Sequence, residues 1–473
     1  MSQKQTTLAP FDQRPVVERQ TLSASDLDAV IATAAAAQKS WATTPLDARI
    51  AIFKKWMAEF ESHKDELCAE LSQHMGRPLA QCPGEIGGTL QRARHLCKIA
   101  PDCLREQPRT DTETPGLRLA IRRVPLGVVA IVSPWNYPYM STINALATSI
   151  LSGNSVILKP SPQTPTVAER FQSTFEAAGL PKGLIQAVHL DVAMTAKLAA
   201  DPRVGFLAFT GSVAGGKALD QAAASGSAFK GVGLELGGKD PAYVRPDADI
   251  PYTADQLVDG AMFNAGQSCC AVERIYVHES VYDAFVDEFV RIAKQYKLGD
   301  PSQPGTTLGP VISLASAERI RKQVDAALQQ GARNLVPADL FPQAKPGTTL
   351  VAPTVLVDVD HTMDVMTEET FGPVIGIMKV KSDEEALALM NDSHYGLTAS
   401  IWTNASDAAS LKAFDALADA LETGTVYLNR ADCLEPALPW TGVKDSGRGI
   451  SLSTLGYDQV TRAKSIHMRI SRS

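Results

Sequence analysis

No apolar run in this sequence reaches the about 18 residues that a membrane-crossing helix requires, so no membrane partner is expected. Basic residues are not in excess: 45 Lys and Arg stand against 52 Asp and Glu, a net charge of −7. That balance supplies no positive field for nucleic acid. Cysteine is sparse and odd in number, seven in 473 residues, at positions 68, 82, 97, 103, 269, 270 and 433. An odd count in a large chain argues against a disulfide framework. Cys97 and Cys103 with His95 do not make a zinc spacing. The eight histidines form no His-x-x-x-His pair, which disfavours a metallohydrolase and leaves no metal site to expect. Internal repeats and low-complexity tracts are absent. The stretch Met1-Ser2-Gln3-Lys4-Gln5 lacks the basic and apolar regions of a signal peptide, and a reducing, cytoplasmic setting is expected.

What is present is an ordinary globular composition, 45% hydrophobic and 21% charged, long enough for roughly three domain-sized units. Residues 1–20 read as an irregular, extended arm. A cap at Ser25-Asp26 predicts a helix running to Trp41. Leu46, Ile50, Phe53, Met57 and Phe60 recur every three or four positions and predict a helix with one buried face. A further helix is expected to end near Gly76-Arg77-Pro78. The continuous apolar run Gly127 to Val132 suits a strand buried on both faces of a parallel sheet. Strands at 155–158, 185–188 and 204–209 follow, with helices between them. The alternation resumes after Gly237 with a helix near 253–264, a strand at 273–278, helices near 281–296 and 315–331, and strands at 354–357 and 371–377. This is the pattern of an α/β fold with a doubly wound sheet and a second α/β unit. Residues 461–470 alternate like a strand and could join 117–125 in a protruding sheet.

Several stretches carry chemical potential, each with a plain structural alternative. Gly211 to Ala218 is a glycine-rich turn between strand and helix, suited either to a phosphate or simply to tight helix capping. It nearly matches a P-loop, but Ala218 has no hydroxyl for Mg²⁺. Lys159 ends a buried strand, as a ligand contact or an exposed strand-end cation. Asn136, between Trp135 and Tyr137-Pro138, is an oxyanion donor or a turn residue. Glu235 in Leu-Glu-Leu-Gly-Gly is a base of raised pKa or a salt-bridged structural carboxylate. Glu368-Glu369 precedes Phe371-Gly372-Pro373 as a site or a solvated turn. In Gly266-Gln267-Ser268-Cys269-Cys270 two adjacent thiols cannot both point inward along one strand, so one could face a cleft, as a nucleophile or as a redox switch.

Taken in order, Pro134 to Pro138, Lys159-Pro160-Ser161, Phe209 to Ser212, Leu234 to Lys239, Gly266 to Ala271, Glu368 to Pro373 and Pro439 to Gly447 closely resemble the aldehyde dehydrogenase superfamily, over about residues 20 to 470. The resemblance implies a Rossmann-like NAD(P)-binding domain (1–106 and 126–236), a catalytic domain (237–448) and bridging segments (107–125 and 449–473) for a homodimer or homotetramer. It implies oxidation of an aldehyde to a carboxylic acid through a cysteine thiohemiacetal and thioester. Cys269 resembles the nucleophile, Glu235 the general base and Asn136 the oxyanion donor. NAD or NADP would be met by Ser133, Pro134, Trp135, Lys159, Ser161, Pro162, Gly211, Ser212, Leu236, Gly237, Glu369 and Phe371. Tyr137, Asn144, Ser268, Cys270, Arg430 and Trp440 would line the substrate pocket. A CoA-acylating enzyme and a non-catalytic relative are the alternatives.

The sequence departs from the family pattern at three informative positions. Ser451 stands where many members carry a glutamate. Pro162 replaces a glutamate common in NAD-preferring members, which leaves NADP open. Asn144 replaces a frequent tryptophan. Arg430, Asp432, Cys433, Leu434 and Glu435 suggest a pocket more polar than one for aliphatic aldehydes.

Overall fold

The structure is a computed structural model that describes residues 3–111 and 115–471. The first two residues of the expected arm, and positions 112–114 and 472–473 of the expected bridging segments, lie outside the described residues.

A six-stranded sheet runs in the spatial order Gly447–Arg448, Gly231–Glu235, Val204–Thr210, Val128–Val132, Ser155–Lys159, Ile185–Ala187. All neighbours are parallel except the first pair. Every residue of Val128–Val132 is buried, as a strand covered by helices on both faces requires. The chain order reverses beside this strand: Ser155–Lys159 follows it on one side, and Val204–Thr210 lies on the other. Such a switch point opens a crevice at the strands' C-terminal ends. A seven-stranded sheet follows, ordered Arg333–Asn334, Thr354–Val357, Val374–Val380, Val272–His278, Asp240–Val244, Thr398–Trp402, Thr425–Leu428. Only its first pair is antiparallel. Residues 461–469 pair in continuous register with 117–125, and Gln107–Arg109 completes a three-stranded sheet. Among the described residues, no helix is long and apolar enough to cross a membrane.

Several expectations need correction. The arm is a hairpin: Lys4–Leu8 pairs antiparallel with Pro15–Gln20. The first helix starts at Ala24 behind Ser23, not Ser25, because Ser23 and Asp26 close a reciprocal capping box. The buried face of helix Leu46–Ser62 is Arg49, Phe53, Trp56 and Phe60, turned slightly from the predicted stripe. The reason is a ring stack between Trp56 and Phe175, centroids 4.4 Å apart, with the Trp56 indole donating to Thr174 Oγ1. The strand expected at 371–377 is Val374–Val380, because Phe371 has a left-handed φ of 50° that no strand accommodates. The two cysteines precede the strand Val272–His278, as expected, but sit in a turn, so the alternation of side chains along a strand is not what separates them.

The unforeseen element is Cys82–Leu104, a 23-residue helix. It packs along Pro138–Leu151, the helix after Asn136. Glu85 Oε1 accepts from the Tyr139 and Met140 N–H groups at 2.9 and 3.4 Å, satisfying donors at that helix's otherwise uncapped start.

Candidate active site

Val128–Val132, Ser155–Lys159, Val204–Thr210 and Gly231–Glu235 deliver Ser133, Lys159, Gly211 and Glu235 at their C-terminal ends. Cys269 and Glu369 stand just before strands of the second sheet, Val272–His278 and Val374–Val380. Glu235 ends the last parallel strand of the first sheet, and Asp240 begins the second.

The turn carrying Cys269 is held under strain. Asn264 and Ala265 have φ of 53° and 56°, and Gly266 follows at 68°. Each non-glycine residue in this region costs about 1–2 kcal/mol. A Cβ at Gly266 would strike the Gly372 carbonyl. Hydrogen bonds fix the turn from several directions. The side-chain amides of Asn136 and Asn264 both donate to the Gln267 carbonyl at 3.2 Å, and Gln267 Oε1 accepts from Ile312 N–H at 2.7 Å. An amide carries two N–H donors, so Asn136 retains one beyond this bond. Arg77, fully buried, fixes Asn136 in turn. Its guanidinium donates to the Asn136 carbonyl, to Asn264 Oδ1 at 3.1 Å and to Glu85 Oε2 at 2.5 Å, and it lies over the Tyr137 ring.

Cys269, half-buried, lines an open cavity of about 320 Å³, together with Glu235, Tyr137, Asn144, Ser268 and Trp440. Cys270 is 3% exposed and donates to Asp432 Oδ1 at 2.9 Å. Its neighbour Cys269, then burial, pushes the Cys270 thiol well above its usual range. The adjacent sulfurs are therefore unequal: one is enclosed and kept protonated, the other opens on the cavity. Asp432 also accepts from Ser268 Oγ at 3.1 Å, and burial raises its carboxyl to about 7. Arg430 lies apart, on an adjoining cavity of about 270 Å³, and donates to the Cys433 sulfur.

Glu235 is enclosed between this cavity and a second, small one of about 40 Å³ lined by Ser133, Pro134, Phe209 and Ser451. Burial raises its pKa, as expected for an ion moved out of water. The Ser451 hydroxyl donates to Oε1, and Thr210 Oγ1 reaches Oε2 at 3.4 Å; both oppose the shift, as does the positive charge of Arg92.

Sequence reasoning missed Arg77, Arg92 and the structural use of Ser451. The signal for Arg92 was available: on Cys82–Leu104, Glu85 and Arg92 occupy the buried stripe seven residues apart, among Ile86, Thr89, Leu90 and Ala93.

On the other side of Glu235 lie features suited to a dinucleotide. Lys159 has no hydrogen-bond or ion-pair partner among the described residues, and burial lowers its pKa to about 8. It lines a cavity of about 430 Å³ with Pro162, Phe209 and residues of the N-terminal hairpin. Thr7 Oγ1 donates to the Pro162 carbonyl at 2.8 Å, and Ser161 Oγ accepts from Gln163 N–H. Ser212 caps the helix Val213–Ala224, whose N-terminus points positive. Close packing requires glycine there, since a Cβ at Gly211 or Gly216 would meet Phe209 or Leu236 at 2.6 Å. Across the crevice, Glu369 Oε1 accepts from Gly238 N–H at 2.9 Å, and burial raises its carboxyl to about 7. It lies so near Gly237 that a side chain there would collide. Phe371 sets its ring edge-on to Trp135, 5.6 Å apart. The buried pair Lys239–Glu273, 2.7 Å apart, organises this edge: Glu273 also accepts from the N–H groups of Thr370 and Phe371. An unpaired cation, a helix N-terminus and a sheet switch point together fit a phosphate-bearing dinucleotide.

Comparison with known proteins agrees with this geometry. An aldehyde dehydrogenase of Paenarthrobacter nicotinovorans is 35% identical over 437 residues, 92% of this chain and 93% of its own. A protein named succinate-semialdehyde dehydrogenase [NADP(+)] from Mycolicibacterium paratuberculosis (strain ATCC BAA-968 / K-10) is 34% identical over 413 residues, covering 87% and 85%. The solved succinic semialdehyde dehydrogenase from Streptococcus pyogenes, in complex with NADP+, superposes with a TM-score of 0.91 at 28% identity, over 98% of this chain and 99% of that one. With residues 1–466 also matching the pattern described as the aldehyde dehydrogenase family, the chain belongs to that family, whose members oxidise an aldehyde to a carboxylic acid with NAD or NADP.

Proposed function

We propose that this chain performs that oxidation on a polar aldehyde through a covalent adduct at Cys269. The observation that carries the reading is the shared wall between two cavities: Glu235 borders both, and Cys269 opens into one of them. Cys269 attacks the aldehyde carbon as a thiolate, forming a carbon–sulfur bond. The free N–H of Asn136 and the Cys269 backbone N–H stabilise the resulting oxyanion; one such donor contributes about 2.7–4 kcal/mol. NAD(P), held by the residues named below, would supply the hydride acceptor at the adduct carbon, after which Cys269 carries the acyl group as a thioester. Glu235 then removes a proton from water as the water attacks the acyl carbon, the carbon–sulfur bond breaks, and carboxylic acid and thiolate separate. A carboxylate of raised pKa is suited to that step, since a base tuned toward neutrality removes the proton more readily. A CoA-acylating route and a non-catalytic role are not favoured.

Lys159, Ser161, Pro162, Gly211 and Ser212 would meet the adenosine and pyrophosphate, and Glu369 and Phe371 the nicotinamide ribose. Ser133, Pro134, Trp135, Leu236 and Gly237 would close around the dinucleotide. In this reading residues 1–106 and 126–236 bind NAD(P), 237–448 carry the nucleophile, and 107–125 with 449–473 bridge subunits. Thr461–Arg469 supports the last role: it is an exposed edge strand of nine residues, the kind of edge that another chain covers. A homodimer or homotetramer follows. Seven free cysteines support a reducing cytoplasm.

The test is NAD(P)H formation over a panel of aldehydes, with Cys269→Ala and Cys270→Ala alongside. Cys269→Ala should abolish turnover, and Cys270→Ala should retain most of it. Equal losses in the two variants would refute the assignment of the nucleophile.

A further inference from the structure

Two arginines line the cavity of Cys269, and they are used differently. Arg77 is fully committed: each of its three nitrogens donates to a protein oxygen. Arg92 is 7% exposed, yet only Nη1 is engaged. It donates to the Met140 carbonyl at 2.7 Å and to Asn144 Oδ1 at 3.3 Å. Nε and Nη2 donate to nothing, and no carboxylate pairs with this guanidinium among the described residues. Neither free nitrogen is a fully buried, unpartnered atom; on the lining of an open cavity they can be met by water or by a ligand. The position of Arg92 is not accidental. Asn144, on the neighbouring helix, orients the guanidinium by accepting a hydrogen bond.

The acids around the cavity do not cancel this charge. Glu85 is paired with Arg77. Asp432 is occupied by Cys270 and Ser268. Asp259 lies on the lining with its carboxyl raised by burial. Glu235 acts on Arg92 through the field, without direct contact.

From this geometry we infer that Arg92 is the specificity-determining residue of the pocket, receiving a carboxylate at the far end of the substrate while the aldehyde carbon lies at Cys269. The planar fork offers Nε and Nη2 side by side, the arrangement that grips a carboxylate with two hydrogen bonds. The substrate class is therefore a short aldehyde that also bears a carboxylate. This inference rests on the reading of Cys269 as nucleophile, but it can fail separately.

The experiment compares kcat/KM for succinic semialdehyde, butanal and aminobutanal, which share one chain length, in the full-length enzyme and in Arg92→Gln and Arg92→Lys. Wild type should prefer the carboxylated aldehyde. Arg92→Gln should lose at least about 30-fold more on succinic semialdehyde than on butanal, mostly in KM, as truncation of a buried charge partner does. Arg92→Lys, which keeps the charge but not the fork, should fall between. Inhibition by succinate should weaken in parallel, a readout that does not depend on turnover. Equal losses on both aldehydes would reduce Arg92 to a structural role and overturn the inference. So would a wild-type preference for butanal, or for aminobutanal, which would shift selection to the acids opposite. If no aldehyde yields NAD(P)H in wild type, the functional reading fails first.

Discussion

Ser451→Ala isolates the environment of Glu235. The Ser451 hydroxyl donates to Oε1, while the Thr210 contact, at 3.4 Å, is long and weak. Ser451 is thus the principal hydrogen-bond donor to the carboxylate. A hydrogen bond to a charged group contributes about 1.5–3 kcal/mol, equivalent to about one to two pKa units. Both cavities beside Glu235 can admit water, and a water in the space left by the hydroxyl would recover part of this; a shift of about one unit is expected. The sign follows from which form the bond favours. Ser451 stabilises the ionised carboxylate against a burial that raises its pKa, so its removal raises the pKa further. The base then becomes protonated at higher pH, and the acid limb of the rate profile moves up. The assay is the pH dependence of NAD(P)H formation, together with hydrolysis of p-nitrophenyl acetate, which acylates a thiolate without a nucleotide. The limb should shift in both reactions with the high-pH plateau largely kept. An unmoved limb, a downward shift, or an equal loss at every pH would refute the reasoning.

Asp432→Asn tests the buried carboxyl beside the cysteines. Its pKa in the fold, about 7 against 3.8, means the native state keeps a proton that the unfolded chain releases as pH rises through that window. Wild type therefore loses stability between about pH 4 and pH 7, by at most about 4 kcal/mol for a gap of about three units, and Asp432→Asn does not. Chemical denaturation at pH 5 and pH 8 should show the variant gaining on wild type at the higher pH, and a pH-independent difference would contradict this. Lys239→Met leaves Glu273 buried and without its cation, at a cost of about 3–5 kcal/mol. Adding Glu273→Gln should restore much of the stability, and urea midpoints of the single and double variants check both.

The legible parts of this molecule are those whose information is local. Val128–Val132 is buried on both faces and reads as a parallel strand from its five residues alone. Cys269, Glu235 and Asn136 sit in short motifs whose glycines and prolines dictate backbone shape. The hairpin at 4–20 was illegible because its residues are mostly exposed or half-exposed on both faces, so no alternation marks it. Its support comes from contacts 155 positions away, such as Thr7 on Pro162. The helix Cys82–Leu104 carries Pro83, Gly84, Gly87, Gly88 and Pro101, residues that weaken helical propensity. Burial against the helix after Asn136 outweighs them, and that packing is a property of the assembled fold.

The same distinction explains why the catalytic candidates were readable while the candidate for selectivity was not. The thiol and carboxylate must meet one geometry set by the reaction, and the backbone around them is constrained by strained φ angles at Asn264 and Ala265 and by glycines that a side chain would displace. Selectivity has no such backbone requirement. Arg92 needs only a helix that turns its side chain toward the cavity and a neighbour that orients it by accepting a hydrogen bond, and Asn144 satisfies the second condition from a different helix. A pair of ordinary helical positions, 52 residues apart, can thus alter what the pocket accepts while leaving every motif of the reaction intact.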